Sequence, residues 1–465
     1  MSEVAADKVG GYSFGTFKGV FTPSILTILG VIMYLRFGWV IGNVGIVQTL
    51  LIVVIASSIT FLTGLSISSL ATNMNVKSGG TYFIISRSLG LEAGAAVCIP
   101  LYLAQSLGIA FYVSGFAESI VALLPFLSVK FVGVITLGIL AFLSFVSADL
   151  ALRTQFVILA LVALSLISFF FGKPVSSEMI AANNVVIPCL PFWTVFAVFF
   201  PAVTGIEAGL GLSGDLKQPS RSLPLGILSA VTVSFLIYMA IPVFLNYFVP
   251  DRALLRANLF IMKDIAKFTP LIILGVWGAT LSSALGVLLG SPRTLQALAR
   301  DKIVPEFFGK GYGKEQNPRV AIIVSFSVAL LGVIYGDLNL IAPVLTMFFL
   351  TAYGLMNLSA ALEGLLSSPS YRPKFRVPWG LSLAGACGAF AVMFMINPGA
   401  TFIAIFVSSV IYFAMKRRSI NTTWSDMRYG ILMLALYFII HKLEDRKPDE
   451  RTWRPNMLVN YKIKR

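Results

Sequence analysis

Charged residues and histidine are scarce in this chain of 465 residues. Asp, Glu, Lys and Arg together make up only 12% of the sequence, whereas a soluble domain has about 25%. The single histidine, His441, lies in a charged C-terminal segment, so the apolar part of the chain cannot form a histidine triad, a histidine metal site or a histidine proton relay. These shortages argue against a soluble enzyme, a hydrolase or a nucleic-acid-binding domain.

Cysteine is also rare. Cys98, Cys189 and Cys387 fall in or near apolar segments, and their spacing matches no metal-binding or redox motif. We therefore interpret them as packing residues. We predict no transition-metal site, no cofactor and no enzymatic activity.

Apolar residues, in contrast, make up 57% of the chain, which contains 37 Phe and has a mean hydropathy of +0.88. Apolar stretches recur from Val20 to Tyr412, and a helix needs about 20 residues to cross roughly 30 Å of hydrocarbon. The pattern predicts an all-α membrane protein with twelve transmembrane helices. The predicted spans, numbered 1 to 12, are 19–46, 48–72, 91–124, 131–147, 154–172, 191–214, 223–249, 269–292, 320–336, 341–366, 381–397 and 399–415.

Basic residues set the predicted topology. The 35 Lys and Arg exceed the 20 Asp and Glu, and most of them fall on one side of the predicted spans. Because basic residues concentrate in cytosolic loops, we place both termini in the cytosol and the protein in the plasma (cytoplasmic) membrane. Residues 1–18 lack the pattern of a signal peptide and form a cytosolic segment, and residues 416–465 form a short cytosolic extension. The loop 250–268 alternates charged and apolar residues at helical spacing, which predicts one short external helix.

Two of the spans contain helix breakers near their middle. Span 1 has Pro23 and, further on, Gly30; span 6 has Pro201 and Gly205. Pro and Gly are common in membrane helices, so either span alone could be an ordinary helix. Breaks at corresponding positions of two five-helix halves, however, are typical of transporters with inverted repeats that bind substrate at the midplane.

Polar residues inside three spans are candidates for ion binding or gating. Ser282 and Ser283 in span 8 offer uncharged oxygen ligands for sodium, although serine in a membrane helix also bonds to its own backbone or packs against a neighbour. Arg36 and Glu118 lie in spans 1 and 3. Charges in spans are costly and usually paired, which predicts an outer gate pair; the alternative is that Arg36 extends to the headgroups.

Several of these segments together resemble the transmembrane region of the cation-chloride cotransporter family. The resemblance extends along nearly the whole chain, and the segments that carry it are 19–20, 30–36, 112–118, 199–216, 279–285, 341–353 and 452–455. The resemblance implies the ten-helix core of the amino acid, polyamine and organocation superfamily over residues 19–366, with 5+5 inverted repeats (LeuT-like) and broken helices 1 and 6. It also implies two further helices over 381–415, and a homodimer through helices 11 and 12 or through the C-terminal extension.

The resemblance further implies where ions bind. The implied sodium ligands are Leu26, Leu29, Ala279, Ser282 and Ser283. The implied potassium ligands are Thr27, Ile28, Tyr112, Pro201 and Thr204. The implied chloride ligands are Gly30, Val31 and Ile32 at one site, and Gly205, Ile206, Glu207 and Tyr353 at the other.

The serine pair in span 8 favours the sodium-coupled branch of that family. Two residues depart from the family pattern: Thr27 replaces Asn at the potassium site, and Glu207 replaces an apolar residue beside the second chloride. The resemblance therefore implies sodium-coupled chloride cotransport by alternating access, and it does not decide whether potassium is also transported.

Two other functions remain as alternatives. The first is an amino acid or amine permease of the same superfamily, coupled to protons through Glu207, because segment 204–207 also resembles the sixth span of such permeases. The bulky residues around Gly30 argue against it, since permeases of this kind have small residues there. The second is a passive channel or a non-transporting subunit. Paired broken helices argue against a channel, because a midplane site suits alternating access.

Overall fold

The computed structural model describes residues 14–73, 80–146, 148–176, 187–211, 213, 216–312, 318–366, 371–417, 436 and 439. The chain divides into two compact units, Met1–Trp424 and Ser425–Arg465. The predictions for residues 1–13, and for the C-terminal extension beyond residue 417, lie outside the described residues apart from Leu436 and Ile439.

The described residues are almost entirely helical, and the only extended pairing among them is an isolated bridge between Phe14 and Leu216. The helices are α1 (Thr22–Ile28), α2 (Val31–Leu35), α3 (Phe37–Asn73), α4 (Gly80–Leu89), α5 (Leu91–Val121), α6 (Val129–Val146), α7 (Ala148–Phe170), α8 (Phe192–Phe199), α9 (Ile206–Gly211), α10 (Pro219–Phe248), α11 (Arg252–Ala257), α12 (Ile261–Ile265), α13 (Thr269–Arg300), α14 (Arg319–Tyr335), α15 (Leu338–Leu366), α16 (Trp379–Ile396) and α17 (Pro398–Arg417). A π-helical turn, Phe17–Phe21, precedes α1, and 3₁₀ turns follow α8 (Phe200–Val203) and α13 (Glu306–Gly309).

Among the described residues, nine helical stretches are long and apolar enough to cross a membrane. They are Phe17–Leu35, Phe37–Asn73, Leu91–Val121, Phe192–Gly211, Pro219–Phe248, Thr269–Arg300, Leu338–Leu366, Trp379–Ile396 and Pro398–Arg417. Three shorter apolar helices, Val129–Ser144, Thr154–Phe170 and Arg319–Tyr335, fall on predicted spans 4, 5 and 9. The prediction of an all-helical membrane protein is thus confirmed, and the twelve crossings remain a prediction.

Gly45 separates spans 1 and 2. Its φ of 77° lies in the left-handed region, so α3 changes direction there instead of continuing as one helix. A side chain at this position would also meet the guanidinium of Arg252, which lies 2.9 Å from the position of an added Cβ. The predicted boundary between residues 46 and 48 coincides with this turn.

The loop 250–268, which we predicted to be external, differs from the prediction in its helices. We expected one helix in 250–268, but the structure has two, α11 and α12. Asn258 lies between them in an extended conformation (φ −99°, ψ 94°), and its side chain donates to Asp264 Oδ2 at 2.8 Å and accepts from the Phe260 amide at 3.2 Å. The local hydrogen bonds of an Asn side chain compete with the helix and interrupt it.

Burial distinguishes the centre of the bundle from its periphery. The residues of α1, α2 and the 3₁₀ turn after α8 are all buried, so spans 1 and 6 lie in the interior. In α17, by contrast, side chains such as Phe402, Phe406 and Phe413 are exposed. An apolar surface of this kind suits contact with lipid or with another membrane protein. The interior position of the two broken spans is what brings their freed backbone groups together.

Candidate functional site

Span 1 is broken between α1 and α2. Leu29 has φ −76° and ψ 56°, and Gly30 has φ −111° and ψ −140°, both outside the helical region. Such a break frees carbonyl groups at the end of α1 and amide groups at the start of α2. The freed carbonyl and amide groups lie in the interior of the bundle, because every residue of α1 and α2 is buried.

Span 6 is broken at the same level of the bundle. After the 3₁₀ turn, Thr204 is extended (ψ 165°) and Gly205 has φ 126°, and α9 then begins at Ile206. A Cβ added to Gly205 would lie only 2.8 Å from Thr27 Cγ2, so a side chain is excluded both by the backbone conformation and by the contact. The two breaks therefore touch each other.

The residues implied for potassium gather around this contact. The Thr27 hydroxyl donates to the Pro23 carbonyl at 2.8 Å, and the Thr204 hydroxyl donates to the Pro201 carbonyl at 2.9 Å. Because each proton points into its own helix, the oxygen lone pairs remain available to a cation. The ring of Tyr112 lies beside Gly30, with Cε1 3.8 Å from the position of an added Cβ.

The residues implied for sodium join spans 1 and 8. The hydroxyl of Ser283 lies 3.4 Å from the Leu26 carbonyl and donates to it. Ser283 and Ala279 are buried in α13, whereas Ser282 is partly exposed. Leu29, the remaining member, caps the end of α1. The structure thus shows the contact between the two helices directly for one pair, Leu26 and Ser283.

The amides implied for the first chloride are only partly free. The Gly30 amide donates to the Ile28 carbonyl at 2.8 Å, so this member of the set already has a partner. Val31 and Ile32 open α2, where the first N–H groups of a helix have no partner within it. The α2 helix is held against α5 by close packing of Val31 on Gly115.

At the position implied for the second chloride, a carboxylate is already in place. The Gly205 amide donates to Glu207 Oε2 at 3.3 Å. Glu207 Oε1 and the hydroxyl of Tyr353 are both buried, and neither makes a hydrogen bond of normal geometry with the described residues, but Tyr353 is near enough to the carboxylate to act as a side-chain donor to it. Tyr353 and Tyr112 both lie close enough to Glu207 to interact with it electrostatically.

Arg36 and Glu118 form an ion pair, as their placement in two spans predicts. Arg36 Nη2 lies 2.9 Å and 3.1 Å from the two oxygens of Glu118. Arg36 is 1% exposed, and its Nε also donates to Asn339 Oδ1 at 2.9 Å. Asn339 was not predicted as part of this group, because a single Asn next to a span carries no sequence signal. The pair and Asn339 connect span 1 with spans 3 and 10.

A cluster near the far end of α13 lies on the predicted cytosolic side. The Tyr82 hydroxyl in α4 donates to Asp301 Oδ2, and Arg87 Nη1 lies 3.5 Å from the same oxygen. Burial and the neighbouring Asp301 carboxylate raise the pKa of Tyr82, so the hydroxyl stays protonated and continues to donate. This cluster ties α4, which the sequence analysis did not predict, to the end of span 8.

Tyr238 is the second residue that the sequence analysis missed. Its hydroxyl, projecting from α10, donates to the Ile28 carbonyl and lies 3.2 Å from the Ala202 carbonyl. Its ring packs edge-on against Phe37 and Phe199, with centroids 5.2 Å and 6.1 Å away. One side chain therefore bridges carbonyls at both helix breaks. A single Tyr in an apolar span looks like a packing residue, so the sequence around Tyr238 gives no indication that it bridges the two breaks.

We expect Tyr238→Phe to raise the cation concentration needed for half-maximal transport by about two- to tenfold, the equivalent of one hydrogen bond. The reason is that the Ile28 carbonyl, an implied potassium ligand, loses one of the two donors that orient it and keeps only the Gly30 amide. Cation-dependent uptake into proteoliposomes measures this directly. Tyr34→Phe is the matched control, because the Tyr34 hydroxyl is equally buried but bonds to Ser165 Oγ at 2.6 Å. Equal cation dependence in the two variants would contradict the role of Tyr238.

Comparisons with known proteins place the chain in a family. A family model described as amino acid permease matches residues 19–456. Human solute carrier family 12 member 2 is 33% identical over 520 residues, which cover 98% of this chain and 43% of the relative. Human solute carrier family 12 member 1 is 30% identical over 518 residues (97% and 47%), and mouse solute carrier family 12 member 3 is 32% identical over 516 residues (96% and 51%). The chain spans about half the length of the curated relatives it matches. It therefore belongs to the amino acid permease family and is similar to members of solute carrier family 12.

Proposed function

We propose that this protein is a secondary active transporter that couples sodium to chloride cotransport by alternating access. The observation that carries the proposal is the contact between the two helix breaks, where Gly205 lies against Thr27. This contact gathers carbonyls, hydroxyls and amides from two spans into one buried place. Freed carbonyls suit cations and freed amides suit anions, so one such place can hold both kinds of ion.

Sodium binds, in this proposal, between spans 1 and 8. The ligands are the carbonyls of Leu26, Leu29 and Ala279 with the hydroxyls of Ser282 and Ser283. The contact of 3.4 Å between Ser283 and Leu26 supports this assignment, because it brings two of the five oxygens together before any ion is bound. Sodium binding would then hold α1 against α13.

The other ions bind at the breaks themselves. Potassium, if carried, lies among Thr27, Ile28, Tyr112, Pro201 and Thr204. The hydroxyls of Thr27 and Thr204 support this assignment, because each donates its proton to a carbonyl of its own segment and leaves its lone pairs for a cation. The carbonyls freed at the end of α1 support it as well. Chloride lies at the free amides of Val31 and Ile32, beside the cations that attract it. A cation and an anion bound side by side neutralise each other in a region of low dielectric constant.

Alternating access requires that the two sides open in turn. We assign the outer gate to Arg36 and Glu118, and we place the cluster of Tyr82, Arg87 and Asp301 at the inner side. Both groups join helices that are far apart in the chain, which supports a role in closing the bundle. The proposal includes twelve spans with 5+5 inverted repeats, both termini in the cytosol, and location in the plasma membrane. The breaks in spans 1 and 6, five spans apart, support the repeat.

The exposed apolar side chains of α16 and α17 suit a second copy of this chain. We propose a homodimer through these helices, as in the arrangement that the resemblance implies. Trp379 and Leu381 are exposed on α16, and large apolar side chains on α17 point outward.

An amino acid permease is the second candidate, and the observation that favours it is the buried carboxylate of Glu207 between the breaks. The packing around Gly30 argues against it. Ile28, Leu29 and Val31 are buried beside Gly30, and their side chains occupy the space that a small-residue cradle for a substrate carboxylate would need. The ion cotransporter therefore fits the described residues better.

Uptake of labelled chloride into proteoliposomes tests the proposal. We expect an inward sodium gradient to drive chloride accumulation, choline to give none, and an excess of leucine or arginine to have no effect, because the site binds inorganic ions. Adding potassium to the sodium condition tests whether potassium is carried. No chloride flux, together with accumulation of a labelled amino acid, would instead establish the permease.

A further inference from the structure

We propose that the carboxylate of Glu207 is a tethered anion: it fills the place of one transported anion and supplies its negative charge to the bound cation. Each transport cycle then moves one chloride fewer than it would with an apolar residue at this position. This inference rests on the proposed function and concerns the same site. It assigns to Glu207 the role of setting the ratio of the transported ions.

The first support is that the carboxylate already lies at the donors that an anion would need. The Gly205 amide donates to Glu207 Oε2 at 3.3 Å. The hydroxyl of Tyr353, 0% exposed, lies beside the same carboxylate and interacts with it as a side-chain donor, although no hydrogen bond of normal geometry joins it to any of the described residues. A free anion at this place would compete with a carboxylate that cannot diffuse away.

The second support is the repulsion between like charges. Two unit charges about 4 Å apart, at an effective dielectric constant of about 20, repel strongly enough to weaken binding by roughly a thousandfold. Glu207 is 9% exposed, so water offers little screening. Chloride and an ionised Glu207 therefore exclude each other at this place.

The third support is the missing counter-charge. The ion pairs among the described residues join Arg36 to Glu118, Arg87 to Asp301 and Lys302 to Glu306, and none of them includes Glu207. A buried charge needs a partner. Tyr112, an implied cation ligand, lies close enough to interact with Glu207 electrostatically, so a cation bound there is the available partner.

The test compares ion ratios in the full chain reconstituted into liposomes. Sodium-driven uptake of labelled sodium and labelled chloride is measured for the wild type, Glu207→Leu and Glu207→Gln. We expect the chloride-to-sodium ratio to double in Glu207→Leu, because the vacated place admits a second chloride. We expect Glu207→Gln, which keeps the shape and loses the charge, to need roughly tenfold more cation for half-maximal uptake.

Glu363→Gln is the matched control. Glu363 is also a buried carboxylate in a span, 8% exposed, but it lies near the end of α15 and away from the breaks. We expect both its ion ratio and its cation dependence to equal those of the wild type.

Either of two results would overturn this inference and leave the proposed function standing. One is a wild-type ion ratio in Glu207→Leu; the other is an unchanged cation dependence in Glu207→Gln, which also decides the matter should the Leu variant not fold. A wild type without any sodium-driven chloride flux would overturn the proposed function, and the inference with it.

Discussion

Replacing Ser282 and Ser283 together by alanine is expected to abolish the sodium dependence of uptake and to leave the fold intact. The two hydroxyls are the side-chain oxygens of the proposed sodium site, and the remaining ligands are backbone carbonyls. Removing hydrogen-bonding groups from a charged partner costs about 1.5–3 kcal/mol each, so losing both weakens sodium binding by more than roughly a hundredfold. Uptake of labelled chloride at a series of sodium concentrations measures this loss.

The two single variants should differ in how strongly they weaken sodium-dependent uptake. Ser283 is buried and contacts the Leu26 carbonyl at 3.4 Å, whereas Ser282 is partly exposed, so Ser283→Ala should have the larger effect. Ser291→Ala serves as the control, because Ser291 is an equally buried serine further along α13. Sodium-dependent uptake that persists in the double variant would show that sodium binds elsewhere or is not carried.

The broken spans were predictable from sequence because their cause is local. Gly and Pro change backbone preferences within one or two residues, so Gly30 and Gly205 mark the breaks without any knowledge of the fold. The Arg36–Glu118 pair was predictable for a different reason. A charge inside an apolar span needs a partner, and few charged residues were available to provide one.

What could not be predicted depends on contacts between distant segments. Tyr238 and Asn339 are ordinary residues in the sequence, and only the packing of α10 and α15 directs them to the Ile28 carbonyl and to Arg36. Backbone details were missed as well. The sequence gives no indication that the Gly30 amide turns back to the Ile28 carbonyl and so leaves the implied chloride set. Whether a backbone amide bonds within its own turn or stays free depends on φ and ψ at single residues.

Replacing Glu118 by leucine is expected to destabilise the protein and to stop coupled transport. The change leaves the Arg36 guanidinium, 1% exposed, without its carboxylate, and an uncompensated buried charge costs about 3–5 kcal/mol. Thermal unfolding of the purified protein in detergent measures the stability, and uptake into proteoliposomes measures the coupling. Glu306→Ala is the control, because Glu306 is 75% exposed and its pair with Lys302, at 3.7 Å, contributes little.

The double variant Arg36→Met with Glu118→Leu separates stability from gating. Replacing both members of a buried ion pair by apolar residues of similar size is often neutral or stabilising, so we expect the double variant to recover the unfolding temperature lost in Glu118→Leu. Coupling should not recover, because an apolar contact lacks the directional bonds that hold Arg36 to Glu118 and Asn339 in the closed state. Normal sodium-driven uptake in the double variant would mean that the pair stabilises the fold without acting as a gate.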